Sequence, residues 1–216
     1  MHNSSWDQTR KRSQYHFDPH AWDNRWDTVQ RLGHVEPTWQ HLVADIVEQS
    51  RAVTWRTRSD PRKASRPESE LAAEEYDLER AGYGRDFEVS NLNWQIPPEL
   101  ERLAQKFQFQ DSMVRIHVQH PGQVWNLHLD KLEKWAPQDP SQVMRVMIQL
   151  TDWQPGHFWL YGNYHFWGWR AGDITSFDWR NVPHATANAG LVPRLTLQIT
   201  GIVTKQTLEF IDSLRS

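Results

Sequence analysis

Cysteine is missing from all 216 residues, so disulfides, zinc–thiolate sites, iron–sulfur clusters and thiol nucleophiles are excluded. Excess charge of one sign is missing too. The formal net charge of −3 gives no electrostatic case for a nucleic-acid surface. No run is long and apolar enough to span a bilayer, and the start, Met1-His2-Asn3-Ser4-Ser5-Trp6-Asp7, lacks the apolar stretch of a signal peptide. The expectation is a soluble, cytoplasmic protein without a membrane partner. The length allows one domain with a real core and would squeeze two. Tryptophan and histidine, by contrast, are plentiful at 13 and 11 residues. For any single tryptophan the first reading is packing.

Three stretches differ in texture. Residues 1–54 are rich in Trp and His and hold one helix signal: Pro37 and Thr38 precede Trp39, Leu42, Val43, Ile46 and Val47, an apolar stripe at helical spacing. This predicts a Trp-rich helical extension packed on the rest. Residues 55–86 run from basic (Arg56 to Lys63) to acidic (Glu68 to Glu79), as a solvated linker or a lid over a site would. Residues 87–216 have the texture of a compact domain. Pro97 to Phe107 opens with proline and repeats apolar groups at three and four, which predicts a short helix.

Beyond that helix the period changes to two. Val114, Ile116 and Val118 alternate with Arg115, His117 and Gln119; Trp125, Leu127 and Leu129 with Asn126, His128 and Asp130. Met144, Val146, Ile148 and Leu150 oppose Arg145, Met147 and Gln149, and Leu195, Leu197 and Ile199 oppose Arg194, Thr196, Gln198 and Thr200. Shorter strands are expected over 157–161, 164–169 and 173–178, and a closing helix from Lys205. Seven or eight short strands with glycine turns indicate a sandwich or barrel. The polar faces fit either a sheet with one wet side or a barrel lined by polar groups, its apolar faces turned out against helices. The candidate chemical residues all lie on the polar faces, which favours the barrel.

Those residues form a pattern. His128 and Asp130, at i and i+2 on a strand, point the same way, and His184 follows the run Gly172 to Phe177. Two histidines and one carboxylate can fill one face of an octahedral metal, the ligand set of non-haem Fe(II) oxygenases. Arg194 follows His184 by ten residues, and Thr196 shares its strand face. Together they can grip a carboxylate that reaches back to the metal. Each piece is weak alone; their order and spacing agree with one site.

This arrangement resembles the Fe(II)/2-oxoglutarate-dependent oxygenase superfamily. Residues 143–203 look closest to its aspartyl/asparaginyl β-hydroxylase-like branch, through Arg145 to Leu150, Trp169 before Gly172, Phe177-Asp178, His184, Asn188 and Arg194. The resemblance covers roughly residues 110–203. One departure matters: the namesake hydroxylases lack the carboxylate ligand, whereas Asp130 is present here. The resemblance implies a mainly β protein, a double-stranded β-helix (jelly-roll or cupin-like) core with flanking helices. It implies Fe(II) held by His128, Asp130 and His184, with 2-oxoglutarate and O₂ as co-substrates and succinate and CO₂ as products. Arg194 would pair with the distal carboxylate of the 2-oxo acid and Thr196 would donate to it.

Other residues are softer candidates. Gln119, Asn126 and Gln149 face the same way and are expected to reach the 2-oxo acid or the substrate. Arg145 would bind a substrate carboxylate or make a structural ion pair, and His117 is a rival ligand lacking a carboxylate at i+2. Trp159, Trp167, Trp169 and Trp179 would wall a substrate pocket or fill the core. The leading expectation is a hydroxylase of an amino acid, a peptide or protein side chain, or another small molecule. The alternatives are a cupin-type metalloenzyme without a 2-oxo acid and a non-catalytic jelly-roll binding module. A base-repair type of oxygenase is disfavoured by the charge balance, although Arg56 to Lys63 offer a local basic cluster.

Overall fold

The computed structural model describes residues 29–54 and 87–215. The charged segment 55–86, with its basic cluster and the lid expectation, lies outside the described residues, as do residues 1–28.

The period-two segments are strands. In chain order the elements are β1 (Val29–His34), α1 (Val43–Gln49), β2 (Arg51–Thr54), β3 (Glu88–Asn93), α2 (Pro98–Gln105), β4 (Gln110–Gln119), β5 (Val124–His128) and β6 (Val143–Gln149). Then come β7 (His157–Tyr161), β8 (Tyr164–Phe166), β9 (Asp173–Phe177), β10 (His184–Asn188), β11 (Arg194–Ile202) and α3 (Lys205–Ser213). One antiparallel sheet has the order β1-β9-β6-β11-β4-β3-β2 and the other β5-β10-β7-β8. From β4 to β11 the chain passes back and forth between the sheets, pausing only at the β7–β8 hairpin, and the first and last of these strands pair with each other. This is a double-stranded β-helix, and the protein is mainly β.

The alternation explains the layering. Ile116, Val118, Val146, Ile148, Leu150, Leu195, Leu197 and Ile199 leave the seven-stranded sheet on its outer side. There they pack against Trp39 and Ile46, against Leu100, Leu103 and Phe107, and against Ile211. Each such side chain contributes about 1.5–3 kcal/mol of burial. Pro98 starts α2 where its missing N–H costs nothing, and Thr204 caps α3 in a reciprocal box with Thr207. Trp39 is also tied to the sheet by its Nε1, which donates to Leu150 O at 3.0 Å. With the apolar positions turned out to the helices, the polar positions Gln119, Arg145, Gln149, Arg194, Thr196, Gln198 and Thr200 are buried between the sheets. The polar faces therefore line a barrel.

Several boundaries differ from the sequence reading. The extension read as helical also supplies two edge strands, β1 on β9 and β2 on β3. Strand β10 had no periodic signal, because Ala185, Thr186 and Ala187 are too small to alternate visibly. Strand β5 ends at His128, so Asp130 is not a strand residue. Its partner β10 begins at His184, directly opposite His128, and the residue before it is Pro183, which has no N–H to give and whose carbonyl oxygen already accepts from Gly162 N at 2.7 Å, so the ladder stops there.

One glycine joins the layers. Gly172 donates to Gln149 O at 2.8 Å and accepts from Val35 N at 3.0 Å, at φ +95°. A Cβ there would fall on the Val35 carbonyl oxygen and the His34 ring. Among the described residues no helix is long and apolar enough to cross a membrane.

Candidate metal centre

Antiparallel pairing brings two imidazoles together. His128 at the end of β5 and His184 at the start of β10 are register partners, with ring centroids 4.3 Å apart. Although Asp130 lies past the strand end, its carboxylate turns back to them: Oδ1 is 3.9 Å from His128 Nε2 and Oδ2 is 3.6 Å from His184 Nε2. One ligand atom from each residue lies within 4.8 Å of the others, and all three residues are buried. The expected grouping of His128, Asp130 and His184 is present, with the route to Asp130 corrected from a strand face to a loop.

The imidazoles are oriented for coordination. His128 Nδ1 donates to Asn126 O at 2.7 Å, and His184 Nδ1 donates to Val182 O at 3.2 Å. A proton held at each Nδ1 leaves each Nε2 as a lone-pair donor aimed at the carboxylate. Burial holds His184 below its ordinary pKa, although Asp130 pulls the other way, so the ring is neutral. Burial alone would push Asp130 up, but the Arg145 guanidinium beside it holds the carboxyl well below the usual carboxylate range. Neutral imidazoles and an ionised acid are the forms that bind a divalent cation.

Arg145, on β6, ion-pairs with Asp130 Oδ2, and its Nε donates to Thr200 Oγ1 at 3.2 Å. Between the two expectations for it, the ion pair is what the structure contains. A second guanidinium stands nearby. With the Gln198 amide turned to satisfy both of its ends, its oxygen accepts from Arg115 Nε at 3.1 Å and from Arg145 Nε at 3.2 Å, and its nitrogen donates to His117 Nε2 at 2.9 Å. Burial, followed by Arg115, Arg145 and Arg194, keeps His117 well below its ordinary pKa. Its acceptor nitrogen is thus engaged by Gln198.

Arg194 sits at the other end of the same interior. It is only 3% exposed, yet its Nε and Nη1 have no hydrogen-bond partner. Its guanidinium carbon lies 4.4 Å from the centroid of the Trp159 ring. Burial pulls its pKa down to about 9, leaving a protonated cation short of a counter-ion at neutral pH. Gln149 Nε2 and Gln119 Oε1 are also buried without partners.

The remaining candidates have particular roles. Thr196 donates from Oγ1 to Gln149 Oε1 at 3.1 Å, so its hydroxyl orients that amide. Gln119 Nε2 donates to Thr186 O and Oγ1, each at 3.2 Å. Asn126 is buried, and its tie to the centre is the backbone oxygen that holds His128. Trp169 is packed among His157, Trp159 and Phe166 and donates to Thr151 O at 3.1 Å, which is the position of a packing residue. The sequence alone offers Trp159 only as a wall or core residue. Its contact with Arg194 crosses from one sheet to the other and leaves no trace in local spacing.

No family model matches this sequence, and no curated protein matches it. Solved structures similar to it include the non-heme alpha ketoglutarate dependent carbocyclase SnoK from nogalamycin biosynthesis, at 17% identity and a TM-score of 0.45, over 81% of this chain and 86% of that one. A Cupin 2 conserved barrel domain protein from Salinispora arenicola is 11% identical at a TM-score of 0.34, over 63% of this chain and 92% of its own. A double-stranded beta-helix protein from Klebsiella pneumoniae is 19% identical at a TM-score of 0.31, over 43% and 68%.

Proposed function

We propose that this protein is an Fe(II)- and 2-oxoglutarate-dependent oxygenase, a hydroxylase of an amino acid, a peptide or protein side chain, or another small molecule. The observation that carries the reading is the pairing of two features in one barrel interior. A buried His–Asp–His group has its ligand atoms within 4.8 Å, and a buried guanidinium has two N–H groups awaiting an acceptor. A site built for a metal alone has no use for the second feature. A 2-oxo acid with a distal carboxylate uses both.

His128, Asp130 and His184 would hold the iron, a donor set of two neutral nitrogens and one carboxylate that suits a ferrous ion. When bound, the iron supplies the O₂-dependent oxidative decarboxylation of 2-oxoglutarate to succinate and CO₂, coupled to oxidation of a substrate C–H bond. The chain's own residues prepare that chemistry. The Asn126 and Val182 carbonyls keep protons on the outer ring nitrogens, and Arg145 holds one oxygen of Asp130 and leaves the other for the metal. Arg194 offers charge-assisted donors to the distal carboxylate, and the buried walls exclude water.

The test is succinate formation by folded protein. Succinate should appear only when ferrous iron and 2-oxoglutarate are both supplied, and His128→Ala should abolish it. Stoichiometric metal binding without any succinate, even uncoupled from a prime substrate, would favour a cupin-type metalloenzyme. Failure to retain metal at all would favour a binding module.

A further inference from the structure

Four of the buried polar atoms without a partner among the described residues belong together. Arg194 Nε and Nη1, Gln149 Nε2 and Trp159 Nε1 are all donors, all belong to residues at most 3% exposed, and none has a hydrogen-bond partner. Leaving a buried donor unmade costs about 1–3 kcal/mol each, so several in one neighbourhood signal an acceptor that is absent. They do share a neighbourhood. Thr196, next to Arg194 on the inward face of β11, is the register partner of Gln149 and bonds its amide oxygen, which leaves the amide nitrogen as the open end. Trp159 lies under the Arg194 guanidinium.

The register also gives the depth of this group. On β7, Tyr161 pairs with His184 and Trp159 pairs with Thr186. Trp159 therefore lies two residues further into the barrel than the metal-ligand level, about 6.6 Å along the strand. The neighbouring indole and phenol rings stack, with centroids 5.6 Å apart, so the wall between the two levels is continuous.

We infer that Gln149 and Trp159 complete the closed end of the co-substrate pocket with Arg194, Gln149 as a second amide donor to the distal carboxylate and Trp159 as the residue that positions the guanidinium. The indole face fixes the plane of the Arg194 fork through a cation–π contact, and its N–H is a further donor at the rim. A carboxylate accepts at about four lone-pair positions, which these donors match in number. Thr196 then acts through Gln149, by holding its oxygen.

This inference rests on the oxygenase reading, and the experiment separates the two. The full-length protein is loaded with Mn(II) and titrated calorimetrically with 2-oxoglutarate and with pyruvate, which shares the keto-acid end and lacks the distal carboxylate. Wild type should bind 2-oxoglutarate far more tightly; equal affinity for the two would overturn the oxygenase reading itself. Gln149→Leu and Trp159→Leu should each weaken 2-oxoglutarate binding about tenfold or more while leaving pyruvate within about threefold. Trp159→Phe, which keeps a ring face, should restore most of the loss. Gln149→Glu, the same size but bearing a like charge, should abolish the preference even if the leucine variant folds poorly. Unchanged 2-oxoglutarate affinity in the Gln149 and Trp159 variants would sink the inference while sparing the oxygenase reading. So would an equal loss for both acids, because that is what a merely structural role produces.

Discussion

Arg145 and Arg194 are both buried arginines on the inner face of one sheet, and they differ in what meets them. Arg145 has a carboxylate, Arg194 an aromatic ring and two open donors. Truncating Arg145 to Met leaves Asp130 buried without its ion-pair partner, which should destabilise the metal-free protein by about 3 kcal/mol and lower its melting temperature by roughly 6–12 °C. Calorimetry with and without Mn(II) checks this, and the metal should recover part of the loss by replacing the missing positive charge. Arg194→Met should act in the opposite sense. Arg194's pKa is lower in the fold than in the unfolded chain, so its charge opposes folding at every pH below about 9, and that penalty fades only as pH rises through that value. The variant should therefore melt higher than wild type at neutral pH, by about 2–4 °C for each kcal/mol relieved, while losing 2-oxoglutarate binding. A lower melting temperature for Arg194→Met would contradict this account. The sequence already held His128, Asp130, His184 and Arg194 as candidates, because each has chemistry readable from residue type and spacing. It could not assign Arg145 to Asp130 or Trp159 to Arg194, since both contacts cross between elements far apart along the chain.

Strands declare themselves in the sequence when their two faces differ. In β4, β6 and β11 branched apolar residues face helices and polar residues face the interior, and all three were legible as alternation. In β10 the residues between His184 and Asn188 are small or hydroxylated, β1 is broken by a register shift between Arg31 and Gly33, and β2 has only 4 residues, so none of these has a period to read. The end of β5 is hidden for a related reason. Alternation continues through Leu129 and Asp130, but pairing stops at Pro183, which has no N–H and whose carbonyl is taken by Gly162. Corners depend on backbone freedom more than on pattern. Gly172→Ala would put a methyl group against Val35 O at a positive φ, at the point where the end of β1 meets the corner between β6 and β9. It should cost about 2 kcal/mol or more and loosen β1 before the central strands, as chemical denaturation combined with hydrogen exchange would register.

At the scale of the molecule, the sequence indicated a barrel or sandwich, and the order in which its strands pair came only through the resemblance. Periodicity says which way a side chain points and nothing about which strand lies beside it. The absence of cysteine leaves the fold without covalent cross-links, so stability rests on the helix-covered core and on whatever occupies the interior. A divalent metal at about 100 times its dissociation constant should add about 2.7 kcal/mol to unfolding stability. That increment should vanish in Asp130→Ala, which thermal melts with and without chelator would reveal.

The opposition of His128 and His184 has a mechanical side. An ion bound to both imidazoles would rivet two neighbouring strands at one point, and a slip of a single residue would swing one ring to the outer surface and break the rivet. The bound ion would thus act as a gauge of alignment, loadable only when β5 and β10 are correctly mated. Amide protons of those two strands should accordingly slow on metal addition, while those of β2, at the far edge of the other sheet, keep their metal-free rates.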